Sequence, residues 1–452
     1  MNRSIPFAVR VLPALLGAGL ILLAGCSPHR EIYPHLDSLA RQGRYQEAVR
    51  AVESSRPYYG PRNEVLYQVD LGTLLFYAGD YKKSNEAFQK AEERMDELFT
   101  KVALNELGSV IVNDNALPYR GEDFESVVIN VYRALNYLML RDLQAALVEA
   151  RKVDEKLAWF NTKYKANSRN TYREDGFARL LAGMLYEMGG TRDDLNDAYI
   201  SYRKAEKTYQ NDFKPTYDTR APELLASNLL TTAGFMGNRE LEKARKNYPD
   251  YRVFSLAEKQ KLGQAVFIHF AGKAPVKQEG FFQGMMPDGN MIRIVFPVYR
   301  RVPYLVGKSE VVVDGGTPVR LETGQPLGEI AIRNLDDRKG RIAVKAIARA
   351  ALKYMANRAL QGLARSGRDD GLSSLAYIAG NLATVATERA DLRSWQILPD
   401  RILIGRALLR PGTHHLEARL LGEDGEVIET RDLGEQTFRA GETRFFILHS
   451  NL

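Results

Sequence analysis

Three groups of residues have the types and spacing to do chemistry. Ser201-Tyr-Arg-Lys204 has the S-x-x-K spacing that sets a lysine amine beside a serine hydroxyl in penicillin-recognising enzymes. Gly307-Lys308-Ser309 has the ending of a phosphate-binding loop. The six histidines include the adjacent pair His414 and His415. None of the three completes a site. Ser201 to Lys204 falls inside a helical pattern and lacks S-D-N and K-T-G partners. Val302 stands five residues before Gly307, where the loop needs glycine, and a strand follows in place of a helix. Neighbours on a strand point to opposite faces, so His414 and His415 make a poor chelating pair. No H-E-x-x-H or G-x-S-x-G occurs, and no acid pair stands out for general acid–base work. The sequence therefore predicts a protein that is not an enzyme and needs no cofactor or metal.

The remaining chemically distinctive residue is Cys26, the single cysteine of 452 residues, which excludes an intrachain disulfide and a cysteine-built metal site. It follows Arg3, Arg10 and an apolar stretch from Val11 to Ala24, the pattern of a secretory signal peptide. That stretch is shorter than the roughly 20 residues of a spanning helix and contains Pro13. Leu23-Ala24-Gly25-Cys26 resembles the bacterial lipobox. The resemblance implies cleavage before Cys26, diacylglyceryl and acyl chains (palmitate among them) on that residue, and a lipoprotein body tethered to a membrane. Ser27, where an Asp favours inner-membrane retention, implies the periplasmic face of the outer membrane.

Composition fits a folded body outside the bilayer, with 45% hydrophobic and 26% charged residues. The formal charge of +7 becomes +5 once Arg3 and Arg10 leave with the signal peptide. The excess is local, because Arg338 to Arg368 holds nine basic residues and no acid. Within it Lys345, Arg349 and Lys353 recur every fourth residue, with Arg358 beyond, and like charges so stacked cost an isolated helix a few tenths of a kcal/mol each. Ile347, Ala350, Ala351, Tyr354 and Met355 lie opposite, so an amphipathic helix is expected with its basic face outward. That face suits anionic lipid, an acidic partner or peptidoglycan carboxylates, or else a solvated face paired with the acidic remainder of the chain.

The elements that position these residues divide the chain. Residues 1–25 are the signal peptide, 26–35 a lipidated tether, 36–210 helices, 211–250 a helical joint and 251–452 a β-rich domain. Gly43-Arg-Tyr45 and Gly79-Asp-Tyr81 each follow an apolar helix and lie 36 residues apart, with looser units around Asp142 and Gly190. These resemble tetratricopeptide repeats. From Ala265 onward β-rich runs alternate with glycine turns, predicting a β-sandwich or small barrel. A helical hairpin over 340–390 interrupts the strands, its second arm uncharged and rich in small residues. The expected fold is thus α + β and multidomain, a TPR-like α-solenoid followed by a β-sandwich-like domain with an inserted helical hairpin.

One further segment, Asp391-Leu-Arg393-Ser-Trp395-Gln-Ile-Leu398-Pro399, continues to Pro411-Gly-Thr-His414. With the lipobox and the repeat-like half, it resembles a family of uncharacterised proteobacterial outer-membrane lipoproteins over nearly the whole chain. Members tend to be encoded beside small lipoproteins similar to activators of penicillin-binding proteins. That implies envelope work, with peptidoglycan synthesis factors among the expected partners, and supplies no catalytic residues. Arg393 and Trp395 mark either a surface site or a core anchor where helix hands over to strand. The expected function is a protein-binding scaffold or assembly factor in the envelope, without nucleic acid as a ligand. An envelope enzyme acting on peptidoglycan or glycan at the domain junction, and a membrane-active secretion component, are the alternatives.

Overall fold

The computed structural model describes residues 31–104, 115, 117–163, 172–366 and 389–450, a mixed α and β chain. Helical hairpins come first: α1 (Tyr33–Arg41) with α2 (Tyr45–Ser54), α3 (Glu64–Tyr77) with α4 (Tyr81–Leu104), α5 (Asp123–Met139) with α6 (Leu143–Lys163), and α7 (Gly176–Gly189) with α8 (Arg192–Thr208). Their sequences pattern as helices: in α4, Ala87, Phe88, Ala91, Met95, Leu98 and Phe99 recur on one face and are buried. Gly79 and Gly190 sit in the turns at φ 79° and 75°, a left-handed backbone that a side chain would strain. Gly183 in α7 has the Tyr202 ring of α8 where a Cβ would stand, so its lack of a side chain sets how closely that hairpin closes.

Residues 211–250, the expected joint, come next. They contain α9 (Glu223–Met236), packed on α8, and α10 (Asn238–Arg245). The tether ends earlier than expected, because α1 begins at Tyr33 and not at Leu36. Pro34 stands in the first turn, where its missing N–H costs nothing. The Tyr33 and Tyr59 hydroxyls both donate to Asp70 Oδ2, at 2.8 Å each.

Asp70 is fully buried, and burial pushes its carboxyl up to about 7 against the two tyrosine hydrogen bonds that lower it. Its folded value lies above its unfolded one, so the folded protein holds an extra proton between about pH 4 and 7. Stability therefore falls as pH rises through that window, by up to about 1.4 kcal/mol per unit. Asp70→Asn is expected to flatten the pH dependence of urea unfolding there. An unchanged slope would show that Asp70 titrates normally.

The β part has three groups of strands. One sheet has the order β10-β1-β7-β6, built from β1 (Gly263–Ala271), β6 (Glu322–Gln325), β7 (Arg401–Leu409) and β10 (Thr443–Ser450), with β1 and β10 parallel and the other pairs antiparallel. A second, antiparallel sheet has the order β5-β4-β8-β9, from β4 (Lys308–Val313), β5 (Val319–Arg320), β8 (Gly412–Leu421) and β9 (Val427–Phe438). The hairpin of β2 (Val276–Met285) and β3 (Met291–Arg300) stands apart from both.

Alternation along β1 explains why it reads as a continuous apolar run. Ala265, Phe267 and Ala271 share a cluster with Val311, Leu416 and Ala418 of the second sheet, whereas Val266, Ile268 and Phe270 join the core of the helical half. The first sheet is thus buried on both faces, and one apolar core runs from Tyr33 to Ile404 without a solvent break between helices and strands. Between the two groups of strands lie α11 (Leu327–Asp336), which the sequence reading does not contain, and α12 (Lys339–Ser366). The second arm of the expected helical hairpin, residues 367–388, lies outside the described residues, as do Cys26 and the signal peptide.

Candidate docking surfaces

Trp395 settles between the alternatives its sequence leaves open. It is 2% exposed, and its indole Nε1 donates to Thr73 Oγ1 of α3 at 3.0 Å. Its ring lies 5.8 Å from both Phe88 and Tyr132, and Tyr132 stacks on Phe270 of β1 at 5.1 Å. Trp395 is therefore a core anchor where helices meet strands. Arg393 is buried as well, which decides against the surface site of the two alternatives. Its guanidinium pairs with Asp391 at 2.7 Å and donates to the Leu117 carbonyl at 2.8 Å. A planar fork with a carboxylate and a carbonyl to satisfy belongs inside the fold.

Around this anchor lies a buried ion network that sequence reading missed. Glu122, the residue capping α5, accepts from Lys277 Nζ of β2 at 3.0 Å and pairs with Arg338 at 2.5 Å, and Asn334 of α11 donates to it at 3.2 Å. Glu125 accepts from Tyr119 Oη at 2.6 Å and from the Trp395 amide at 3.1 Å. Burial alone would raise the Glu122 carboxyl, but Arg338 and Lys277 outweigh it and hold it well below the usual carboxylate range. Glu125, next to that charge and buried, is pushed up. Lys277, Asn334 and Arg338 on Glu122, and Trp395 on Glu125, come from more than 150 residues away in sequence and leave no local signal. The junction is filled, and a cavity there lined by Leu36, Leu74, Lys273 and Ile397 has a volume of about 10 Å³, at the lower limit for a single water.

The chemistry-bearing patterns resolve into structure. Ser201 is buried in α8 while Lys204 reaches Asp154 at 3.4 Å. Ser309 is buried against His269 Nδ1 at 3.0 Å, and His269 Nε2 meets Ser450 Oγ at 2.8 Å, a polar bridge between the two sheets. Burial pushes the His269 imidazole down to about 3, so it stays neutral in the core. His414 and His415 go to different carboxylates, Asp314 at 2.6 Å and Asp432 at 3.0 Å. Among the described residues no group of three His, Cys, Asp or Glu is placed to hold a metal.

The basic helix α12 is turned the opposite way from expectation. Arg349 is 8% exposed, and Ala346 and Ala350 are buried beside it, while Val344, Ile347 and Met355 are 68%, 54% and 56% exposed. Small residues explain the inversion. Ala346 and Ala350 let the helix approach β3 closely, with Arg349 buried beside them. Lys345 and Lys353 are half-buried, and only Arg358 of the four expected binding residues is largely exposed, 3.7 Å from Asp288. What faces outward is an apolar stripe, Val344-Ile347-Ala351-Met355 with Leu352 beside it.

That stripe runs to a second apolar feature, the β2–β3 hairpin. Phe281, Phe282 and Met285 are 59%, 64% and 74% exposed, and Met286 follows in the turn. Tyr354 Oη donates to Asp288 at 2.7 Å and Asn357 Nδ2 to Asn290 Oδ1 at 3.0 Å, which ties the hairpin tip to α12 beside Met355. The sequence held a signal for this surface. Phe281-Phe282 and Met285-Met286 are adjacent apolar pairs that break strand alternation, so at least one of each pair must face outward. Contiguous exposed apolar side chains on a soluble body mark a contact site. Among the described residues no helix is long and apolar enough to cross a membrane.

A second surface lies on α8. An open cleft of about 500 Å³ is lined by Tyr199, Ile200, Arg203, Lys204, Glu206, Lys207 and Gln210 of that region with Asn247, which donates to Glu206 at 3.0 Å. Ile200 is 42% exposed among lining groups of both charges, Arg203, Lys204 and Lys207 with Glu206. The mixture of apolar and polar lining suits a peptide or a helix face better than a small apolar ligand.

No family model matches the chain, and no curated relative does. Among solved structures the chain is similar to the crystal structure of MamA protein, at 14% identity and a TM-score of 0.29, covering 51% of this chain and 98% of that one. A likeness that low defines neither the fold nor the function.

Proposed function

We propose that the chain is a lipid-anchored, non-enzymatic scaffold of the cell envelope, held by acyl chains on Cys26 at the periplasmic face of the outer membrane. In this reading the four helical hairpins are a tetratricopeptide-like array, the two four-stranded sheets form a β-sandwich-like unit, and a protein partner binds along the array. The observation that carries the binding role is the open cleft on α8, with Ile200 exposed among Arg203, Lys204 and Lys207. The partner class that fits is an envelope protein presenting a helix or peptide, with peptidoglycan synthesis factors the first candidates from the family resemblance. The anchor is supported by the lipobox-like sequence Leu23-Ala24-Gly25-Cys26.

Two measurements test this. Cys26→Ala is expected to abolish incorporation of labelled palmitate and to move the protein out of the membrane fraction, while undiminished labelling would remove the anchor. Photocrosslinking in cells from a reactive residue in place of Ile200 is expected to recover a defined envelope protein. Arg203→Glu with Lys207→Glu should reduce that yield about tenfold, the effect of reversing two contact charges at roughly 0.7 kcal/mol each or more. Equal recovery from the charge-reversed chain would sink the assignment of this cleft.

A further inference from the structure

The two neighbours of His414 fix its proton count. Its ring Nδ1 lies 2.6 Å from Asp314 Oδ2, and its Nε2 lies 2.8 Å from the Arg410 carbonyl oxygen. Both oxygens only accept, so both ring nitrogens donate, and an imidazole that donates twice is the charged imidazolium. Asp314 follows β4, and Arg410 stands in the corner Arg410-Pro411-Gly412, where the chain passes from β7 of the first sheet to β8 of the second. Asp314 has a hold besides the ring: its amide donates to the His415 carbonyl at 2.9 Å, and its Oδ1 accepts from the His415 amide at 2.8 Å. The corner is exposed, and Gly412 takes it at φ 145°, a backbone open to glycine. Other charges nearby have other partners. His415 meets Asp432 of β9 at 3.0 Å, and Glu435 stands opposite it in the register. Gln436 stands opposite His414 and accepts from Arg444 of β10 at 2.9 Å, while Arg444 also lies over the ring of Phe438, which is 6.4 Å from the imidazole.

We propose that His414 is a pH-operated clip on the corner between the two sheets: as an imidazolium it ties the Arg410 carbonyl to Asp314, and on losing a proton it lets the corner go. The order of release follows from the acceptors. A neutral ring keeps its single proton for the stronger, charged acceptor, the Asp314 carboxylate on Nδ1. The lone pair of Nε2 then faces the Arg410 carbonyl oxygen at 2.8 Å, which is repulsive, so Arg410-Pro411-Gly412 moves away while Asp314 stays on the His415 backbone. Hydrogen bonding to Asp314, and then to the Arg410 carbonyl, raises the imidazole above its ordinary value, and the same bond lowers the Asp314 carboxyl. The folded value therefore lies above the unfolded value of about 6.5, so the clip is fully closed below about pH 6.5 and is lost as pH rises through the folded value. The shape of this exposed end of the β part thus answers to the pH around the protein.

Nuclear magnetic resonance of the full chain, labelled with 15N in its histidine rings and glycine amides, reads the ring and the corner separately. His414 is assigned by its loss in His414→Gln, and Gly412 by its loss in Gly412→Ala. The His414 ring is expected to titrate with a midpoint above 6.5, and the Gly412 amide resonance should move with the same midpoint. In His414→Gln the Gly412 resonance should no longer move across that range. Asp314→Asn should bring the ring midpoint down by about one unit, the lower end of what an adjacent opposite charge supplies. Asn tolerates the left-handed φ of 50° at this position, so that variant keeps the turn. A ring midpoint at or below 6.5 in the unsubstituted chain overturns the proposal, and so does a midpoint that Asp314→Asn leaves unchanged. A Gly412 resonance that ignores the ring titration, or that still follows pH in His414→Gln, shows that His414 does not hold the corner and overturns it as well.

Discussion

Trp395→Ala is expected to lower the unfolding free energy by about 3–5 kcal/mol, the range for emptying a large aromatic site in a packed core. The position sits at the upper end of such effects for a structural reason. Its ring touches Phe88 of α4 and Tyr132 of α5, and Tyr132 in turn stacks on Phe270 of β1, so the cavity would open where the two halves of the molecule hold one another. Collapse into the space requires helices and a sheet to move together, which a core continuous across the junction resists. Trp395→Phe separates packing from polarity. It keeps most of the ring and loses only the indole donor to Thr73, whose hydroxyl remains bonded to the Val69 carbonyl at 2.7 Å. A cost of about 1 kcal/mol is expected for that change. Urea unfolding followed by circular dichroism and by tyrosine fluorescence measures both. Coincident transitions are expected for a single cooperative core. A Trp395→Ala midpoint within error of the unsubstituted chain would mean that the junction is not held there.

How far the sequence discloses this molecule can be argued from particular residues. The hairpins are legible because their signals are local: Gly79 and Gly190 fall seven residues after Gly72 and Gly183, and all four lie at a turn or a close approach that the fold requires. The β character from Ala265 onward is legible for the same reason, in runs with glycine turns between them. The helix orientation of α12 was not, because a helical wheel reports two faces and not which neighbour each one meets. Arg349 goes inward because Ala346 and Ala350 present a thin face to β3, and β2 itself is absent from the sequence reading since Gly280 and Gly284 interrupt its pattern. The exposed apolar stripe depends on that inversion. Had the basic face been outward, Ile347 and Met355 would have been core, and the exposed phenylalanines of the hairpin would have stood alone. The proposed anchor, Cys26, rests on a sequence motif alone, because it lies outside the described residues.

Glu122→Gln is expected to cost about 3–5 kcal/mol at neutral pH, because it leaves Lys277 and Arg338 as buried cations without their shared carboxylate. Volume hardly changes, so the loss reports charge and not packing. Its pH dependence identifies the cause. The folded-state Glu122 carboxyl is held below its unfolded value, so its stabilisation is complete above about pH 4.5 and is lost as pH falls through the folded value. The difference between Glu122→Gln and the unsubstituted chain should therefore shrink as urea unfolding is repeated from pH 7 down to about pH 3. Glu125 works in the opposite sense: its folded value is raised, so it weakens the fold as pH rises through the window between its unfolded and folded values. Removing the Glu122 charge relieves part of that elevation, since the neighbouring carboxylate is the second cause of it after burial. Lys277→Gln in the Glu122→Gln background completes the cycle, and a coupling of about 0.5–3 kcal/mol is expected for groups in direct contact. A pH-independent difference, or a coupling near zero, would show that the pair is adjacent without holding α5 to β2.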